Sequence, residues 1–459
     1  MKTEVLCIQP PIYDFALYDL FLKPYGLLRI ARWFRMSGYN VTVLNALDYE
    51  DPFTEAVLGK ARRKSNGTGK FHRMPIDLPD GIKRIKRRFG RYGILPEVFE
   101  ARVRQSKPGL VLITSQMTYW YLGVAEAVRI VKKYHPGVPV AVGGVYATLM
   151  PEHCREYTGA DEVVEGDFFL RLPSLLERWG FPAPEDLSDG GTGLSFPAAC
   201  KTSRDELFPL MEASVWKDAG VVRLNTGCPY RCTYCASHSI EPGFRAGNYR
   251  RAFEYIREMY ESLHIRNFAF YDDALLVRKE EVLLPLLEEI LRHDMKLRIY
   301  TPNAVHMSCM DYETARLMKR SGFQEVRLGY ESADEDFHQQ FDTKYRPEEV
   351  PEAIDVLRKA GFTGSQLILY ILAGLPRQDI SEVLQSLRTV SGFKVRVSIA
   401  EYSPVPRTAL WDKAVESSSY PIETEPLYHN NTFFPMEWEG FSRSGLQRVK
   451  DMARRMETG

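Results

Sequence analysis

A chain of 459 residues is longer than one ordinary domain, and its 44% hydrophobic and 12% aromatic content can fill two or three cores. Sixty basic residues balance sixty acidic ones, which argues against nucleic acid as a partner held by bulk charge. The start, MKTEVLCIQPP, enters an apolar strand without a secretory h-region, and the longest uncharged stretch, Val138 to Met150, is too short to span a bilayer, so the expectation is a cytoplasmic protein with no membrane association.

TEVLCIQP predicts a first strand, LKPYGLLRIARWFRMSG an amphipathic helix stopped by Gly38, and NVTVLNAL a second strand. After an interruption come the strand GLVLITS, the helix GVAEAVRIVKKYHPG and the strand VPVAVGG. Such alternation implies an α/β fold with a doubly wound parallel sheet, whose ligands lie beyond the carboxyl ends of the strands. Those ends carry Gln9-Pro10-Pro11, the segment Ser115 to Tyr121, and Gly143-Gly144-Val145-Tyr146. The interruption, within an insertion spanning about 55–105, holds twelve Lys or Arg against two Asp between Lys60 and Arg91. It reads as a solvated basic hairpin or helix, the alternative being a positive rim for an anionic substrate or partner.

Residues 181–215 are rich in Gly, Pro, Ser and Asp near their start and mark a linker. Beyond it, strands are expected at 221–226, 266–271, 297–301, 325–330, 366–372 and 396–402, with helices near 250–263, 278–293, 311–320, 347–360 and 381–391. Asp311 and Ser381 are the expected N-caps, Gly322 and Gly361 the stops. Six strand–helix units over 216–410 suggest a partial β/α barrel with its site at the carboxyl ends of the strands, followed by a helical tail over 411–459.

Of seven cysteines, Cys7, Cys154, Cys200 and Cys309 are isolated, whereas Cys228, Cys232 and Cys235 fall in one C-x3-C-x2-C loop directly after a strand. An odd, uneven set in a long intracellular chain argues against a disulfide framework. Thiolates are the ligands of iron–sulfur clusters, and three of them on a four-iron cluster leave one iron open to a small molecule. Zinc held by the same cysteines and His238 is the competing reading.

In LNTGCPYRCTYCASH and its surroundings the chain resembles the radical S-adenosylmethionine (SAM) superfamily over about 215–410. That resemblance implies a [4Fe-4S] cluster on Cys228, Cys232 and Cys235, and SAM bound by its open iron. It implies that Tyr234 packs against the adenine. Asp272 and Asp273, in FYDDALL, stand where the methionyl amino group is held, with helix capping as their alternative. Glu331 and Ser332, in Gly329-Tyr330-Glu331-Ser332, match the fourth-strand motif, the alternative for Glu331 being a simple ion pair. Ile371 and Gly374, in ILAGLP, and Tyr402, in Glu401 to Pro406, match the fifth- and sixth-strand segments lining the pocket. No residue stands out as a general base.

The first 180 residues resemble the cobalamin-binding domain that precedes many such enzymes, through Gln9-Pro10-Pro11, Pro24-Tyr25-Gly26-Leu27, Gly143-Gly144 and Ala160 to Gly166. The resemblance suggests Tyr119, Trp120, Gly143, Gly144 and Tyr146 as corrin contacts, with loop packing as the alternative for the aromatic run. D-x-H-x-x-G is absent from this region, so no lower axial histidine is evident. The implied activity is reductive cleavage of SAM and functionalisation of an unactivated position of a small molecule or peptide, with an electron donor such as flavodoxin or ferredoxin. With cobalamin the expected reaction is methyl transfer; without it, cyclisation, rearrangement or transfer of another SAM fragment. The non-enzyme alternative is a zinc-binding module.

Overall fold

The computed structural model describes residues 4–83, 85–181, 208–342, 344–346 and 348–458. Two compact units divide the chain, 1–218 and 219–459. Most of the expected linker, with Cys200, lies outside the described residues.

In the first unit the apolar runs form strands β1 (Glu4–Gln9), β3 (Asn40–Asn45), β6 (Leu110–Ser115), β7 (Val140–Gly144) and β8 (Glu162–Val163), with β2 (Ile12–Asp14) lying apart from this sheet. The sheet has the order β3-β1-β6-β7-β8, every pair parallel. Val5, Leu6, Cys7 and Ile8 are buried, as expected of a central strand covered by helices on both faces. The helix Tyr25–Met36 ends just before Gly38, whose φ of 87° is open to glycine at little cost.

The basic insertion forms a hairpin whose described Lys and Arg side chains are mostly exposed, as expected of a solvated one, with apolar side chains such as Phe71 and Tyr92 packed inward. Its strands β4 (Arg73–Ile76) and β5 (Phe89–Tyr92) pair antiparallel with each other, and β5 also pairs with β2. Phe71 and Tyr92 join Ile12, Leu47, Tyr49 and Trp120 in one apolar cluster. Arg91, buried in β5, meets the equally buried Glu126 at 3.0 Å, and Tyr13 donates to the same carboxylate at 2.9 Å. One charge of the run is thus a buried tie to the helix Tyr121–Tyr134.

In the second unit β9 (Ala219–Val222), β12 (Asn267–Phe270) and β13 (Arg298–Tyr300) form one parallel sheet, and β14 (Val326–Glu331), β15 (Leu367–Ala373) and β16 (Arg396–Glu401) another. Parallel bridges Ile299↔Phe323 and Val305↔Leu328 join the two into a partial barrel. Asp311 caps its helix through the Thr314 N–H. Asp379, rather than Ser381, caps the helix Ile380–Ser391, because its carboxylate accepts the Ser381 N–H while Glu382 returns a bond to the Asp379 N–H. Gly322 and Gly361 end their helices at φ of 101° and 96°. The final helix, Arg443–Thr458, runs against β16, with Lys450 2.6 Å from Glu401. Among the described residues no helix is long and apolar enough to cross a membrane.

Candidate active site

Directly after β9 the chain leaves the barrel as a two-stranded finger, β10 (Asn225–Gly227) paired antiparallel with β11 (Phe244–Ala246). All three clustered cysteines lie in the loop between these strands, Cys228 and Cys232 half-buried and Cys235 exposed. Burial raises the Cys228 thiol and pushes the Cys232 thiol up to about 12; the Cys235 sulfur opposes ionisation of both, and Cys228 opposes that of Cys232. Three mutually repelling sulfurs are what a polycationic iron core gathers. Ser237 offers its N–H to Cys235 Sγ at 3.5 Å, a contact of the kind that tunes clusters. Among the described residues no group of three or more His, Cys, Asp or Glu side chains is assembled as the ligands of a single metal ion.

The acidic pair after β12 is split. Asp272, 2% exposed, accepts the backbone N–H of Leu224 at 2.9 Å and of Asn225 at 2.7 Å. Desolvation pushes its carboxyl up to about 7 against those two bonds. Both oxygens hold the root of the finger rather than a helix N-terminus, which leaves Asp273 as the candidate ligand contact. Asp273 is the freer of the two; burial raises its carboxyl, Ser237 hydrogen-bonds it, and its charge is felt at Cys228.

Tyr234 is tied down at its hydroxyl, which donates to Asp342 at 3.0 Å. Asp342 also faces His338 Nδ1 at 2.9 Å, while His338 Nε2 meets the Ser332 carbonyl at 3.0 Å. Ser332 is thereby engaged through its backbone, and its hydroxyl accepts the Asp334 N–H at 3.1 Å. Glu331 pairs not with an arginine but with Lys344, at 3.0 Å. It sits at φ 60° beside a register shift between Gly329 and Glu331 in the β14–β15 ladder, a left-handed conformation rare for glutamate. Ile371, fully buried, is the ladder partner of Glu331. Gly374 has φ 88°, and a Cβ there would lie 2.5 Å from the Phe434 ring, so close packing demands the glycine. Its N–H donates to Gln378 at 2.7 Å.

Some of the buried polar atoms without a protein partner follow the carboxyl ends of these strands. They are both ends of the Asn225 amide, Thr301 Oγ1, His306 Nδ1 and the Tyr402 hydroxyl. Groups of this kind fit a polar ligand that completes them. His306 stacks on Tyr230 of the finger at 4.3 Å. Beside the finger runs a groove of about 570 Å³, lined by Pro229, Tyr230, Leu276, Ser308 and Cys309 among others. Lys344, Asp342, His338 and His306 carried no sequence signal except the i, i+4 spacing of His338 and Asp342, which lies in an otherwise surface-like polar segment.

In the first unit Trp120 is buried, and its indole N–H donates to Asp14 at 2.7 Å. Tyr119 packs against the same apolar cluster, edge-on to Trp120. Tyr146 is fully buried, with its hydroxyl 2.6 Å from His153 Nδ1. Trp120 and Tyr146 are therefore core residues and are withdrawn as corrin contacts. Gly143 and Gly144 remain at the open end of β7. Gly144 is exposed, with φ 96° and room for no Cβ, which would lie 2.3 Å from the Ser115 carbonyl. The bare backbone edge and the unpartnered Gln9 amide nitrogen at the end of β1 suit a ligand that approaches the main chain closely.

A family model of the Radical SAM superfamily matches residues 222–390, and one of the B12 binding domain matches residues 91–175. The chain carries a radical SAM domain preceded by a B12-binding domain. An uncharacterized methyltransferase of Pyrococcus horikoshii is 24% identical to it over 372 residues, 74% of each chain. The ribosomal protein uS12 methylthiotransferase RimO of Streptomyces griseus is 26% identical over 155 residues, 32% of this chain and 30% of that one. Among solved structures, the radical SAM methyltransferase TsrM of Kitasatospora setae, with cobalamin and an iron–sulfur cluster bound, matches with a TM-score of 0.67 at 14% identity, over 99% of this chain and 89% of its own. The cobalamin-dependent radical SAM enzyme OxsB matches with a TM-score of 0.59 at 12% identity, over 99% of this chain and 62% of its own. At such identities the likeness is one of fold; the cysteine finger falls within the stretch matched by the Radical SAM superfamily model.

Proposed function

We propose that this radical SAM enzyme is a cobalamin-dependent methyltransferase acting on a small molecule or peptide. One observation carries the reading: a three-cysteine finger roots in a partial β/α barrel whose strand ends hold unpartnered polar groups, in a chain that also bears a B12-binding domain. A methyltransferase among the curated relatives supports the reaction type.

Cys228, Cys232 and Cys235 would hold the cluster. Asp273 suits the methionyl ammonium by charge-assisted hydrogen bonding. Asn225, Thr301 and Tyr402 offer polar groups to the rest of SAM, and Glu331, Ser332, Ile371 and Gly374 shape the wall behind them. Gly143 and Gly144 would face the corrin. When bound, the cluster supplies an electron to the SAM sulfonium and cobalamin a carrier for the methyl group. The groove beside Tyr230 has the volume of a small-molecule site. The electron donor is proposed to be a flavodoxin or ferredoxin.

Two findings favour a second reading, a sheet that has kept its fold and lost the ligand: Trp120 and Tyr146 are turned into the core. The test is anaerobic reconstitution with iron, sulfide and cobalamin, followed by SAM carrying a labelled methyl group and a reductant. Four irons, retained corrinoid and label transferred to an acceptor support methyl transfer. Four irons and 5′-deoxyadenosine without corrinoid support the second reading, and bound zinc without SAM cleavage defeats both.

A further inference from the structure

Phe341 and Asp342, at the end of the helix Glu335–Phe341, are strapped to the cysteine finger. Thr233 donates its N–H to the Phe341 carbonyl at 2.8 Å, and the Tyr234 hydroxyl donates to Asp342 at 3.0 Å. The Lys344 ammonium lies 5.3 Å over the Tyr234 ring and 3.0 Å from Glu331 Oε1, with 14% of its side chain exposed. Tyr234 lies between Thr233 and Cys235, so a fixed cation stands against the stretch of loop that carries two of the three thiols.

We infer that Lys344 is a positioning charge that raises the reduction potential of the cluster held by the finger. The inference rests on the proposed assignment of Cys228, Cys232 and Cys235 as cluster ligands. A four-iron core with three thiolates gains negative charge when it takes up an electron. A cation held nearby in a poorly solvated site favours the reduced form. Asp342, two residues before Lys344, is the opposing charge beside Tyr234. Asp342 is in turn engaged by the Tyr234 hydroxyl and the His338 ring.

A cation over a ring with an ion pair could equally be a mechanical fastening, and the midpoint potential separates the two roles. The full chain is reconstituted anaerobically as wild type, K344R, K344M and E331Q, iron and sulfide are counted, and the midpoint is found by EPR-monitored titration without SAM. K344M is expected to shift the one-electron equilibrium at least tenfold toward the oxidised cluster, about 59 mV. K344R should stay near wild type, and E331Q, which frees the ammonium of its partner, should move the opposite way. An unchanged midpoint in a four-iron K344M overturns the inference. If K344M takes up no iron, an E331Q midpoint that is unchanged or lower overturns it and a higher one upholds it. A wild type without four irons overturns the assignment of the cysteines, and this inference with it.

Discussion

The carboxylate of Asp272 accepts the backbone N–H of Asn225 at 2.7 Å, three residues ahead of Cys228. An acidic residue one position from a proposed SAM contact is thus part of the frame that aims the cysteines. Asp272→Ala leaves two buried N–H groups without their acceptor, at about 1–3 kcal/mol each. It should lower the melting temperature and the iron content together. Asp273→Asn should keep both and weaken SAM retention in equilibrium dialysis. The reverse pattern would return the ligand role to Asp272.

Gly227 has φ 73°, and a Cβ on it would lie 1.9 Å from the Gly243 carbonyl across the finger. Gly227→Ala adds left-handed strain of about 1–2 kcal/mol to that clash and must move the strand bearing Cys228. Iron per chain should fall severalfold, while the far-ultraviolet circular dichroism stays that of the wild type. Full iron loading in this variant would show that the finger tolerates a different pairing.

Burial pulls the His338 imidazole down, but Asp342 at Nδ1 and the Ser332 carbonyl at Nε2 more than reverse this, so it titrates above its ordinary 6.5. Both ring nitrogens face acceptors, which the doubly protonated ring satisfies. A folded-state pKa above the unfolded one gives stability that is complete below the unfolded value and lost as pH rises through the folded value. The melting temperature of the apoprotein should therefore fall as pH climbs from the ordinary 6.5 through the raised folded-state value, and His338→Gln should flatten that slope. An equal slope in both would remove His338 from the account.

Trp120→Phe removes the bond to Asp14 and should cost about 1–3 kcal/mol of stability in chemical unfolding. Corrinoid bound per folded chain should not change, because the indole lies in the core. Loss of corrinoid at unchanged stability would place Trp120 at the ligand after all.

The strands and helices were legible because apolar periodicity and glycine stops are local: Gly38, Gly322 and Gly361 end helices where their positive φ is needed. The cysteine spacing was legible for the same reason. What stayed hidden depends on distant partners. Trp120 resembles a ring awaiting a ligand until Asp14, 106 residues earlier, takes its N–H. Arg91 resembles surface charge until Glu126 meets it. The shift that leaves Glu331 at positive φ leaves no trace in composition, since it belongs to the pairing of β14 with β15. Lys344 sits in a polar stretch that nothing local separates from a solvated loop.

The finger takes its shape from far down the chain. Thr233 reaches to the Phe341 carbonyl, and its own carbonyl accepts the Leu410 N–H. A peptide copied from residues 225–246 would keep every cysteine at its spacing and lack both moorings. Such a mimic would assemble iron, if at all, in a geometry of its own, and chains cut before residue 410 should resemble that mimic more than the enzyme. The three cysteines are written in eight residues, but the loop that holds them is the product of nearly two hundred.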